Sequence, residues 1–175
     1  SDEIEDNRKT EGWMSPSYTQ SRTVNLNPQK ILDNLCVGYL HDSFEAESYK
    51  LLRTQILQKT GGQTGTTLMI TSAVPGEGKT LTCVNLSLTF AKEFNQTVLL
   101  VDSDLRQQKI HEYLGYESDS GLADYLIRGT SLSDLIVWPG VEKLTVISGG
   151  ENVSSSSELL SSPRMKELLK ELKNR

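Results

Sequence analysis

The chain has 175 residues, which is enough for one α/β domain with a buried core and a polar extension. Hydrophobic residues make up 36% of it, the mean hydropathy is -0.38 and the formal net charge is -5, so neither a membrane span nor a basic nucleic-acid surface is indicated. The two cysteines, Cys36 and Cys83, are far apart and lack metal-binding spacing, which favours reduced thiols in a cytoplasmic protein.

The N-terminal residues 1–30 are polar and show no periodicity, which predicts a flexible tail ahead of a domain over 31–175. Trp13, Met14 and Tyr18 interrupt this composition. They either dock on the domain or on a partner, or they belong to a mobile tail.

Helical and strand signals alternate through the rest of the chain. Asp42 and Glu45 resemble a capping box for a helix that runs to about Lys59. The apolar, β-branched run at 66–73 predicts a buried strand. The further predicted elements are helices at 80–94, 107–114, 122–128 and 132–137, strands at 97–102 and 144–148, and a helix from Pro163. This alternation predicts an α/β fold, a parallel sheet with helices on both faces.

A phosphate-binding loop follows the first predicted strand: Ala73-Val-Pro-Gly-Glu-Gly-Lys79-Thr80. Its glycines allow successive N–H groups to face a phosphate, and the following helix adds its positive end. Lys79 supplies a charge to the β/γ oxygens, and the Thr80 hydroxyl suits Mg²⁺. The sequence therefore predicts ATP and Mg²⁺ as ligands. The predicted nucleotide-binding residues are Val74, Pro75, Gly76, Glu77, Gly78, Lys79, Thr80 and Leu81, with Pro75 and Glu77 shaping the loop.

Two carboxylates follow the second predicted strand, in the run Val98-Leu-Leu-Val-Asp102-Ser-Asp104-Leu-Arg106. Ligands bind at the carboxyl edge of such sheets, where these side chains are expected. Thr80 and Asp102 are the predicted magnesium ligands, and Asp104 is the predicted group that orients or deprotonates an incoming hydroxyl, although the two aspartates could exchange roles. Lys79, Asp102 and Asp104 are thus the candidate catalytic residues. Arg106 could pair with an aspartate, a phosphate or a neighbouring subunit.

These segments resemble the P-loop tyrosine kinases of bacteria that regulate exopolysaccharide export. Residues 72–80 and 98–106 are similar to the Walker A and Walker A′ motifs of that family. Residues 47–55 resemble its Glu-x-x-Arg-x-x-Arg helix, with Lys50 in place of arginine, and 157–165 resemble a helical stretch ahead of its Walker B strand. Residues 12–16 resemble the soluble kinases of exosortase-linked loci.

The resemblance implies a tyrosine autokinase that regulates exopolysaccharide synthesis. It implies a homo-oligomer, arranged as a ring, with Glu47, Lys50 and Arg53 at the contact. It also implies a membrane-embedded polysaccharide co-polymerase or adaptor that recruits the cytoplasmic protein to the inner face of the membrane. A direct membrane span and nucleic-acid binding are not expected.

The family pattern continues past Arg175 with a Walker B strand and a tyrosine-rich tail, whereas the six tyrosines here are scattered. We therefore expect a C-terminally incomplete domain that is inactive by itself. One alternative is a partition or septum-site ATPase, against which the loop's lack of a second lysine counts. The other is a nucleotide-dependent assembly switch without kinase activity.

Overall fold

The computed structural model describes residues 21–40, 43–61, 67–92 and 97–173. Its strands are β1 (Arg22–Thr23), β2 (Val98–Val101), β3 (Ile136–Trp138) and β4 (Leu144–Ile147). Its α-helices are α1 (Pro28–Asp33), α2 (Phe44–Lys59), α3 (Lys79–Ala91), α4 (Ile110–Leu114), α5 (Leu122–Arg128), α6 (Leu132–Leu135), α7 (Ser156–Leu160) and α8 (Pro163–Lys173). A short 3₁₀ turn spans Val37–Tyr39.

The four strands form one sheet in the order β1-β3-β4-β2. The β1–β3 and β2–β4 pairs are parallel, whereas β3 and β4 pair antiparallel through Ile136 with Ile147 and Val137 with Val146. The prediction of a parallel sheet is thus wrong for one pair. The cause is β3, which follows α6 directly and runs back along β4; the sequence pattern predicted helix as far as residue 137.

Helices cover both faces of the sheet, as predicted. Leu100 and Val146 point into one cluster with residues of α1, α3 and α4, whereas Leu99 and Ile147 point into a second with residues of α5, α6 and α8. This separation follows from the alternation of side chains along a strand. The amphipathic helix α8 contributes Met165 and Leu168 to the second cluster.

The run predicted as the first strand is not a strand. Residues 67–72 have no strand assignment, and Leu68 and Met69 are 49% and 80% exposed. Thr66 lies outside the described residues. Composition suited this run to a buried strand, but among the described residues no neighbouring strand pairs with it. The prediction therefore fails for lack of a hydrogen-bonding partner.

Ordered elements begin earlier than the predicted boundary at residue 30. β1 adds a strand to β3, and Asn27 caps α1 by accepting the N–H groups of Gln29 and Lys30. The 3₁₀ turn then docks on α3, where the buried Asn85 accepts the N–H of Gly38 at 2.7 Å. Residues 1–20, including Trp13, Met14 and Tyr18, lie outside the described part of the chain.

The N-cap of helix α2 lies one residue after the predicted cap. Ser43 is the N-cap, and its hydroxyl accepts the N–H of Ala46 at 3.1 Å. Asp42, the predicted cap, lies outside the described residues. The helix packs mainly against α3 and the 3₁₀ turn.

Candidate nucleotide site

The phosphate-binding loop adopts the backbone that its glycines predict. Gly76 and Gly78 have φ angles of 85° and 84°, in the left-handed region that side chains disfavour. A Cβ at either position would meet no heavy atom of the described chain within 4 Å, so the positive φ angles, and not crowding by neighbouring protein atoms, favour glycine there. The Glu77 carboxylate accepts the N–H of Val74 at 3.1 Å, which supports its predicted role in shaping the loop. We call residues 67–78 the P-loop segment.

Helix α3 starts at Lys79, directly after the loop. Its first backbone hydrogen bond runs from the N–H of Thr82 to the carbonyl of Gly78 at 2.8 Å. The N–H groups of the preceding residues have no acceptor within the helix and lie at its positive end. This is the usual geometry of a phosphate site. Thr80 lies in the same first turn, beside Lys79.

The residues after β2 form a tightly bonded turn, which we call the acidic loop (residues 102–109). Asp102 is 4% exposed. Its Oδ1 accepts the N–H of Asp104 at 3.1 Å, and its Oδ2 accepts those of Lys109 and Ile110 at 3.0 and 3.1 Å. Asp102 therefore closes the loop and caps the start of α4.

Asp104 is the carboxylate that meets the P-loop lysine. Its Oδ2 lies 2.7 Å from Nζ of Lys79, and its Oδ1 accepts the N–H groups of Gln107 and Arg106 at 3.0 and 3.3 Å. The Lys79 and Asp104 side chains are 32% and 25% exposed. The two sequence motifs thus meet at the start of α3.

The two carboxyl groups have opposite pKa shifts. Burial raises the pKa of Asp102, and its three N–H donors only partly offset this. Partial burial also raises the pKa of Asp104, but the hydrogen bond and charge of Lys79 and the N–H groups outweigh it, so the net pKa is lowered. Asp104 therefore stays ionised where the ion pair forms.

A second segment holds the acidic loop in place. Nε of Arg106 donates to the buried Ser156 hydroxyl at 3.1 Å, and the N–H of Val153 donates to the carbonyl of Leu105 at 2.8 Å. Arg106, whose partner the sequence left open, thus contacts the start of α7. No pattern in the serine-rich run at 154–157 indicates this contact from the sequence alone.

The three residues of the predicted oligomer contact make different contacts in the structure. Lys50 and Glu47 form an ion pair of 2.6 Å on the surface of α2. Arg53 donates to the Thr89 carbonyl at 2.9 Å, so at least part of its guanidinium lies against α3. The three residues share a helix, and their role as a subunit contact stays a prediction.

The described residues contain no group of three or more His, Cys, Asp or Glu side chains placed to hold a metal ion. A P-loop magnesium site does not need such a group, because Mg²⁺ there takes one or two protein oxygens together with phosphate and water. Thr80 and the acidic loop, near Lys79, fit that pattern.

The α/β sheet, the P-loop segment and the acidic loop define a P-loop fold, and relatives identify its family. The chain is 36% identical over 126 residues to the tyrosine-protein kinase YwqD of Bacillus subtilis, which covers 72% of this chain and 53% of the relative. It is 30% identical over 139 residues to the putative tyrosine-protein kinase CapB of Staphylococcus aureus, covering 78% of this chain and 60% of the relative. The chain thus spans between half and two thirds of these relatives. A scan against models of protein families finds no match.

Similar solved structures support the same family. The kinase domain of VpsO is 30% identical with a TM-score of 0.66, and the match covers 84% of this chain and 67% of that one. The kinase domain of the Escherichia coli tyrosine kinase ETK is 29% identical with a TM-score of 0.69, covering 92% of this chain and 62% of that one. The chain belongs to the family of bacterial tyrosine-protein kinases.

Proposed function

We propose that this chain is the ATP-binding part of a bacterial tyrosine autokinase that regulates exopolysaccharide synthesis or export. The observation that carries the proposal is the 2.7 Å approach of Lys79 to Asp104 at the start of α3. It brings a phosphate-binding cation and a candidate base to one point. Family membership supports tyrosine as the acceptor.

The residues of the proposed site have separate roles in phosphoryl transfer. Lys79 and the free N–H groups of α3 bind the phosphates and stabilise charge on the transferring group. When bound, ATP supplies the phosphoryl group and Mg²⁺ neutralises its oxygens. Asp104 accepts the proton of the tyrosine hydroxyl while the tyrosine oxygen bonds to the γ-phosphorus and the bond to the ADP oxygen breaks.

The two aspartates contribute differently. Asp102 is buried and accepts three N–H groups, so we assign it chiefly to positioning the acidic loop. Its Oδ1 accepts one hydrogen bond and retains a lone pair, which suits a magnesium-bound water. Asp104 is more exposed and takes the contact with the reacting groups, while Thr80 is the proposed direct magnesium ligand.

Assembly and location follow from the family and stay within the proposal. The protein forms a homo-oligomer, and a membrane-embedded co-polymerase or adaptor recruits it to the inner face of the membrane. No helix among the described residues has the length and apolar character needed to cross a bilayer. Because Arg53 bonds to α3, we expect Glu47 and Lys50 to face the neighbour. Light scattering of a Glu47→Lys, Lys50→Glu variant tests this, and an unchanged oligomer mass contradicts it.

Radiolabelled ATP with phosphotyrosine detection tests the activity, using the protein as the cell makes it. Phosphotyrosine supports the kinase. Release of phosphate alone indicates an ATPase, and nucleotide binding without either indicates an assembly switch.

Calorimetry of Lys79→Met tests the site itself. We expect ATP affinity to fall by more than about a hundredfold, because the only lysine of the loop is lost while much of its stem is kept. Lys170→Met, at an exposed position of α8, is the matched control and should bind ATP as the parent does. Unchanged affinity in Lys79→Met, with binding by the parent protein, contradicts the assignment.

A further inference from the structure

The Lys79 ammonium has two candidate partners, the Asp104 carboxylate and the nucleotide phosphates. In the structure it lies 2.7 Å from Oδ2 of Asp104. In the proposed function it neutralises nucleotide phosphates at the start of α3. A single positive charge placed between a carboxylate and a phosphate cannot fully neutralise both.

The carboxylate of Asp104 is held in position by the loop through one of its oxygens, Oδ1. Oδ1 of Asp104 accepts the N–H groups of Gln107 and Arg106, which belong to the acidic loop itself. Because the loop is further fixed by Asp102 and by the Arg106–Ser156 contact, Asp104 does not follow Lys79 freely. Lys79, on a long and flexible side chain, is the partner that moves.

Exchange of partners is feasible because both side chains retain contact with solvent, at 32% and 25% exposure. An ion pair with this exposure is weak compared with a buried one. A phosphate bound at the N-terminal turn of α3 also gains the backbone N–H groups, which Asp104 does not reach in this geometry. A bound phosphate is therefore the stronger competitor for the Lys79 ammonium.

We infer that Asp104 and the nucleotide phosphates compete for the Lys79 ammonium, so that phosphate binding frees the Asp104 carboxylate for its part in the reaction. The inference rests on the proposed function and deepens it. Before a nucleotide binds, Asp104 is the counter-ion of Lys79 and lowers the affinity of the site for phosphate. Asp104 acts as a base only after the Lys79 ammonium has moved to the phosphates. The candidate base thereby becomes available only when a phosphoryl donor is bound.

The test measures ADP affinity by calorimetry in EDTA, so that magnesium does not contribute to phosphate binding. Asp104→Asn keeps an oxygen for the N–H groups of Gln107 and Arg106 but removes the competing charge. We expect ADP to bind roughly fivefold tighter than to the parent protein. In the Lys79→Met background the same substitution should give a distinctly smaller gain, because the shared partner is gone.

Asp134→Asn, at an exposed position of α6, removes the same charge elsewhere and should leave ADP affinity unchanged. If Asp104→Asn does not fold, Asp104→Ser replaces it with the same expectation, since a serine hydroxyl also accepts the loop N–H groups.

Equal or weaker ADP binding by the Asp104 variant overturns the inference, as does an equal gain in Asp134→Asn or in the Lys79→Met background. These results leave the proposed function intact as long as the parent protein binds ADP. A parent protein that binds no nucleotide overturns both.

Discussion

The P-loop segment and the acidic loop both lead to the candidate site, but their backbones are held in different ways. The acidic loop follows β2, which pairs with β4, and two carboxylates accept five of its N–H groups or those of the following helix. The P-loop segment pairs with no strand of the described sheet. Within this segment, the Ser72 hydroxyl donates to the Val74 carbonyl and the Val74 N–H donates to the Glu77 carboxylate.

The difference shows which structures a local sequence can form without contacts to distant segments. Glycines and short polar side chains fix a turn within a few residues, so the loop geometry forms without a sheet around it. An apolar, β-branched run becomes a strand only where a neighbouring backbone accepts and donates its hydrogen bonds. Three predictions test how far the two regions differ.

The largest expected effect comes from truncating one leucine in each region. Leu100 on β2 is 4% exposed and Leu68 in the P-loop segment is 49% exposed. Leu100→Ala should lower the free energy of unfolding by about 3 kcal/mol, because it leaves a cavity in the first cluster. Leu68→Ala should lower it by less than about 1 kcal/mol. Urea unfolding followed by circular dichroism measures both, and equal losses would mean that the P-loop segment packs as a core strand does.

The next effect separates the two carboxylates of the acidic loop. Asp102→Ala should lower the free energy of unfolding by about 2 kcal/mol, because three backbone donors around a buried site lose their acceptor. Asp104→Ala should cost less than about 1 kcal/mol, since its ion pair and N–H groups are open to water. The same unfolding experiment applies. A larger loss for Asp104→Ala would show that the ion pair, and not Asp102, holds the loop.

The smallest effect links the acidic loop to α3. Burial and the negative charge of Asp102 raise the pKa of Cys83 to about 11, whereas burial alone raises that of Cys36 to about 12. Removing the charge with Asp102→Asn lowers the pKa of Cys83, so its thiolate fraction at pH 8 rises. Iodoacetamide labelling followed by mass spectrometry should show a rate about threefold higher at Cys83.

Cys36 serves as the internal control for that measurement. If the substitution merely loosens the fold, both thiols react faster. A rate that rises at Cys83 alone locates the effect at Asp102, and a rate that stays constant at both refutes the electrostatic contact.

Much of the site was predictable from sequence because its parts are local. The loop glycines, the start of α3 next to Lys79 and the placement of two aspartates after a strand all depend on residues close in the chain. Family resemblance supplied tyrosine as the acceptor, which no local pattern contained. The helix over Leu122–Arg128 was predicted with its observed bounds, since glycines stand on both sides of it.

Contacts between distant segments decided the rest. Whether 66–73 pairs as a strand, whether β3 runs antiparallel to β4, and whether β1 joins the sheet all depend on which backbone lies alongside. The pairing of Lys79 with Asp104 and of Arg106 with Ser156 joins residues 25 and 50 positions apart in the chain. The sequence by itself determined the turns and the charges they carry; only the tertiary structure determined which charges meet, because hydrogen bonds and ion pairs between remote residues form only after the sheet has brought them together.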